Sequence, residues 1–311
     1  MRLDDYRESS NVEEDNGRAG FGGFGGGGGG GGLGLLFALV GSRFGIGGII
    51  VLGLGLMLLG FNPFGGGQQM VGQSPQVKNE SAQQVCAENG AAGHFSCRVL
   101  ASTEDTWSRI FQQSGQTYTP PRLHFYSRQG SSQCGEAMSA MGPFYCPSDQ
   151  RVYLDTEFFN ELQTRFHAAG DFAEAYVIAH EVGHHVQYLT GIADEVRREQ
   201  QASDEKGANA LQVRMELQAD CYAGVWAGNA KDAHGQPLLE PGDAEEGLRA
   251  ANAIGDDTLQ RSAGQTPVPD SFTHGTSAER VAWLKRGLST GDPSKCDTFA
   301  GSIDRPGRSA S

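Results

Sequence analysis

Apolar residues recur at three- and four-residue spacing over residues 103–113, 156–166, 172–189, 210–227 and 243–254, a period that predicts helices with one buried face. Strict alternation is rarer. It marks two short strands, 122–126 and 151–155, each flanked by turn residues. No internal repeat is visible. The pattern predicts an α+β, helix-rich fold with a small sheet, in one domain over residues 85–300.

Ahead of that domain the pattern changes twice. Residues 1–20 are polar and charged and 21–32 are almost pure glycine, a composition that buries too little apolar surface to offset its backbone entropy. Residues 1–32 are therefore expected to be a disordered tail. Residues 44–61, FGIGGIIVLGLGLMLLGF, then run 18 positions without a charge. That is just enough for a helix to cross a hydrocarbon core of about 30 Å, and residues 33–43 can extend it despite Arg43. The leader is too long for a signal peptide and the run has no polar face for a core helix, so one transmembrane anchor is expected over 33–61. Residues 62–84 read as a linker and 301–311 as a disordered tail. Arg2, Arg7, Arg18 and Arg43 precede the run and only Lys78 follows it before residue 85, which predicts a cytoplasmic amino terminus and a domain on the periplasmic or extracellular side.

Charge and cysteine refine this. A net charge of -13 and a pI near 5.0 argue against a nucleic-acid partner, which needs a basic face to neutralise phosphates. All six cysteines follow the apolar run and none forms a CxxC pair, as expected of disulfides in an oxidising compartment. Fifteen pairings are possible for six cysteines. Short separations favour Cys86 with Cys97 and Cys134 with Cys146, leaving Cys221 for Cys296.

The chemistry lies in AYVIAHEVGHHVQYL, residues 175–189. Asp171 with Glu174 resembles a capping box and Gly191 a helix stop, so a single helix carries His180, Glu181 and His184. Residues four apart share a helix face, which lets His180 and His184 grip one metal ion. Glu181 projects about 100° away, within reach of a metal-bound water without being a ligand. His185 points off that face and reads as structural or as a surface histidine. A catalytic zinc needs a third protein ligand. Glu216 is the candidate, in VRMELQAD, with Asp220 one turn on and placed to accept the free ring N–H of a ligand histidine.

HExxH followed some thirty residues later by ELQAD resembles the gluzincin metallopeptidases. More narrowly, HEVGHHVQ, ELQADCYAGVWA, LEPGD, ANAIGDD and SFTHGT, behind an opening of the form MR...RESSNVEE, a glycine tract and one apolar span, are similar to the putative neutral zinc metallopeptidase family of bacterial membranes. The resemblance implies a zincin-like fold, a Zn2+ cofactor, a peptide or protein substrate, His180, His184 and Glu216 as ligands, Glu181 as general base and Asp220 behind the ligands. It places His274, in SFTHGT, where related zincins steady the oxyanion, a task that wants an N–H donor or a cation. Tyr153 and Arg280 are weaker candidates for that task. By analogy with that fold, residues 142–155 would supply an edge strand that holds substrate. The sequence thus predicts a membrane-anchored zinc metalloendopeptidase. The rival reading is a zinc-stabilised envelope binding or scaffold protein without turnover, against which Glu181 speaks, since a structural site fills its positions with ligands.

Overall fold

The computed structural model describes residues 1–14, 81–301 and 303. The expected transmembrane anchor at 33–61 and most of the expected linker and carboxyl-terminal tail lie outside the described residues. Among the described residues no helix is long and apolar enough to cross a membrane.

The fold is helix-rich α+β, with a four-stranded sheet and a separate hairpin. Strands β1 (Val12–Glu14), β2 (Arg122–Phe125), β6 (Arg151–Leu154) and β5 (Phe144–Cys146) lie side by side in that order. The first three run parallel and β5 is antiparallel to β6, with Val12 beside Leu123, Leu123 beside Val152 and Phe144 beside Tyr153. β3 (Gln129–Ser132) and β4 (Gly135–Met138) form the hairpin. The two strands expected from alternation are β2 and β6. β5 and the hairpin escape pattern reading because three or four residues cannot display a period.

The helices are α1 (Ala82–Glu88), α2 (Gly90–Gln113), α3 (Glu157–Thr164), α4 (Asp171–Leu189), α5 (Ile192–Ala202), α6 (Glu205–Asn229), α7 (Asp243–Ala253), α8 (Asp256–Ser262) and α9 (Ser277–Thr290); α4 lies against β5 and β6 of the sheet, while α9 packs on α6 and α7, and α6 and α7 pack on α4. α4 is central. Its Phe172, Ala175, Tyr176, Ile178 and Val182 are fully or almost fully buried, each large apolar side chain contributing about 1.5–3 kcal/mol. The Phe172 ring stacks on Trp226 of α6 at 6.1 Å. The expected capping box at Asp171 and Glu174 is absent: Gly170 is the amino-terminal cap, without a side-chain bond, and the Phe172 N–H donates instead to Glu246 of α7 at 3.1 Å. A helix terminus needs an acceptor, and here a neighbouring helix supplies it. The expected stop holds, with Gly191 in the left-handed region at φ 81°.

Three disulfides, Cys86–Cys97, Cys134–Cys146 and Cys221–Cys296, join the pairs favoured by separation. The second staples the β3–β4 turn to β5.

The expectation of a disordered tail fails over residues 1–14. They lie against α2 and the sheet, with Leu3, Ser9, Val12 and Glu13 buried. Composition misled because buried charge pairs add to the few apolar contacts of Leu3 and Val12. Burial alone would raise the Glu13 carboxyl, but His124, Arg151 and Arg122 more than offset it and hold its pKa at about 2.

Candidate metal centre

α4 and α6 cross where Gly183 faces Ala219. A Cβ at residue 183 would stand 3.0 Å from the Ala219 backbone, so the glycine inside HEVGH lets the two helices close. That approach brings Glu216 against the α4 histidines. The side-chain donor atoms of His180, His184 and Glu216 all lie within 4.8 Å of one another, the His180 Nε2 standing 3.1 Å and the His184 Nε2 3.6 Å from the Glu216 carboxylate. Two imidazole nitrogens and one carboxylate form the donor set of a catalytic rather than a structural zinc site, and such atoms can converge on an ion at about 2.0–2.2 Å.

Each histidine is also anchored through its other ring nitrogen, which leaves both Nε2 atoms aimed at the metal position. The His180 Nδ1 bonds Asp220 at 2.8 Å. Asp220, fully buried, also accepts from Tyr176 Oη at 2.5 Å and from Arg280 Nε and Nη2 at 2.9 Å each. The His184 Nδ1 donates to the Gln187 amide oxygen at 2.9 Å; the Gln187 amide nitrogen donates to the Met215 carbonyl at 2.7 Å and to Gln218 at 3.0 Å. Gln218 in turn donates to the Cys296 carbonyl at 3.1 Å. Gln212 donates to the second oxygen of Glu216 at 2.8 Å.

Electrostatics divide the acidic groups by task. Burial raises both Asp220 and Glu216, yet Arg280 and His180 hold Asp220 down at about 2, and His184 and His180 hold Glu216 well below its ordinary value. Both are anions near neutrality. Glu181 is buried beside them, and there desolvation prevails over the two histidines, so its pKa is raised. The Tyr145 N–H of β5 donates to Glu181. The outer edge of β5 therefore borders this carboxylate.

His274 sits in the loop before α9, and its Nδ1 bonds Asp256 at 3.2 Å. Asp256 also accepts the backbone N–H groups of Thr273, His274 and Gly275 at 2.6–3.0 Å, which fixes the loop. Burial lowers the His274 pKa, but Asp256 and the nearby Glu216 charge prevail and raise it.

The two weaker oxyanion candidates are placed elsewhere. Tyr153 is fully buried, donates its hydroxyl to Asp149 at 2.7 Å and stacks on Phe144. Arg280 is spent on Asp220 and Tyr176, behind His180. His185 is structural: fully buried, it takes the Tyr145 hydroxyl on Nδ1 at 2.8 Å and donates from Nε2 to the Thr119 carbonyl at 2.7 Å. Sequence reasoning missed Gln187, Gln218, Tyr176 and Asp256. Gln187 alone had a local signal, three residues after His184 on the same helix.

The family described as putative neutral zinc metallopeptidase matches residues 1–299. The uncharacterized protein YpfJ of Escherichia coli K12 is 44% identical over 306 residues, covering 97% of this chain and all of that protein. The uncharacterized protein Rv2575 of Mycobacterium tuberculosis H37Rv is 42% identical over 254 residues, covering 78% of this chain and 85% of that protein. No solved structure matches. By the extent of the family match, which takes in both the metal-site helices and the amino-terminal strand, the chain belongs to the putative neutral zinc metallopeptidase family.

Proposed function

We propose that the protein is a zinc-dependent endopeptidase acting on peptides or proteins outside the cytoplasm, held at a membrane by the apolar stretch at 44–61. The observation that carries the reading is the convergence of His180, His184 and Glu216 within 4.8 Å, with Glu181 beside them and outside the donor group. When bound, a zinc ion supplies Lewis acidity that activates water near neutral pH and polarises a carbonyl.

The chain's own residues supply the rest. Glu181, with its raised pKa, takes the proton of the attacking water and returns it to the leaving amine. His274, whose pKa Asp256 and Glu216 raise, donates to the oxygen on which negative charge develops. Among the described residues β5 ends its sheet, and its outer edge next to Glu181 suits an extended peptide added as a further strand. The three disulfides support an oxidising compartment.

Metal analysis of the full chain in detergent, with cleavage of an unfolded protein before and after chelation, tests this. About one zinc per chain and chelator-sensitive cleavage are expected. A zinc-replete chain without cleavage would favour the scaffold reading.

A further inference from the structure

The amino-terminal segment is built into the domain by charges that pair across the intervening chain. Glu13, only 3% exposed, is bonded by Arg122 at 3.0 Å and His124 at 3.2 Å and paired with Arg151, all three on β2 and β6. Glu104, 5% exposed on α2, accepts from Ser9 at 2.5 Å, Asn11 at 2.8 Å and Arg7 at 3.0 Å. Backbone bonds join the same pieces: Leu123 N–H to the Asn11 carbonyl at 2.9 Å and Ser9 N–H to the Cys97 carbonyl at 3.1 Å. Each side of the junction thus carries a buried carboxylate whose partners come from the other. A buried charge is tolerated only where it is paired and hydrogen-bonded, so neither side is complete alone.

We propose that residues 1–14 fold in the same compartment as residues 81–301. A single crossing, the simplest reading of the 18 uncharged residues at 44–61, would put β1 and β2 on opposite faces of the membrane and leave Glu13 and Glu104 without those partners. β1 is then a strand of the domain rather than part of a cytoplasmic tail. With all six cysteines bridged, the shared side is the oxidising one.

Two variants of the full chain, each adding one unpaired cysteine to the six bridged ones, test this: Asp4→Cys in the amino-terminal segment and Arg198→Cys on α5, both at exposed positions. Each is treated with a membrane-impermeant maleimide in spheroplasts of a bacterial host, before and after permeabilisation. Equal labelling of both in intact spheroplasts is expected. Labelling of both only after permeabilisation would keep the shared compartment and overturn the extracytoplasmic location instead. Labelling of one before permeabilisation and of the other only after it would overturn the proposal. Because no variant touches the metal ligands, the outcome is independent of whether the peptidase reading holds.

Discussion

His180 and His184 stand one turn apart on α4, yet they are anchored from behind by opposite chemistry. His180 leans on a buried ion pair, Asp220 with Arg280, closed by the Tyr176 hydroxyl. His184 leans on a neutral amide, Gln187, itself held by a backbone carbonyl and a second amide. The ionic anchor makes its imidazole a stronger donor to a cation and fixes α9 against α4 and α6. The neutral anchor fixes orientation without adding charge, so that Glu216 stays the one anion of the candidate donor set. One motif thus draws on two kinds of support, each supplied by a different contact with α6.

The largest break in this comparison should come from Arg280→Met. It strands the Asp220 carboxylate in the core, and losing one partner of a buried pair costs about 3–5 kcal/mol. Denaturant unfolding without zinc at pH 7 reads that loss, and a change below about 1 kcal/mol would show that the ionic anchor is not structural.

Asp220→Asn keeps the shape and removes the charge, and zinc affinity should fall 10- to 100-fold. Gln187→Ala removes the neutral anchor and should cost about 10-fold, the low end of the same range. A zinc titration of both variants ranks them, and a larger loss for Gln187→Ala would reverse the comparison.

The smallest effect is on pH dependence. Burial lowers the His180 pKa, but Asp220 and Glu216 raise it to about 10 in the metal-free protein. The imidazole therefore keeps its proton to higher pH than an ordinary histidine, zinc must displace that proton, and affinity rises with pH. Asp220→Asn should flatten that rise by less than tenfold per pH unit, since at most one proton is at stake. Zinc affinity measured at pH 6, 7 and 8 would show it; parallel slopes for variant and wild type would mean Asp220 does not set the His180 proton.

What the sequence made legible follows from where each signal resides. His180, Glu181 and His184 share one helix, so spacing alone placed them on adjoining faces. Glu216 and Asp220 could be named as candidates from the need for a third ligand and their one-turn spacing, and the family resemblance singled them out, because nothing in a carboxylate at helical spacing says which helix it will cross. Asp256 and Tyr176 were unreadable: Asp256 acts through backbone N–H groups 17 to 19 residues away and Tyr176 through a carboxylate 44 residues away. Arg280 was read for the wrong task, since its charge was visible and its burial against Asp220 was not. The long helices followed from their period. β1 could not, because three residues carry no period and their partners lie more than a hundred positions on.

The central claim, that Glu181 is the base of a zinc peptidase rather than an acidic neighbour of a structural metal, is tested most directly by Glu181→Gln. Zinc content and hydrolysis of an unfolded protein, measured on the same preparation, should show about one zinc per chain and cleavage reduced at least 100-fold, the lower range of what a general base contributes. Cleavage at the wild-type rate with zinc retained would contradict the account.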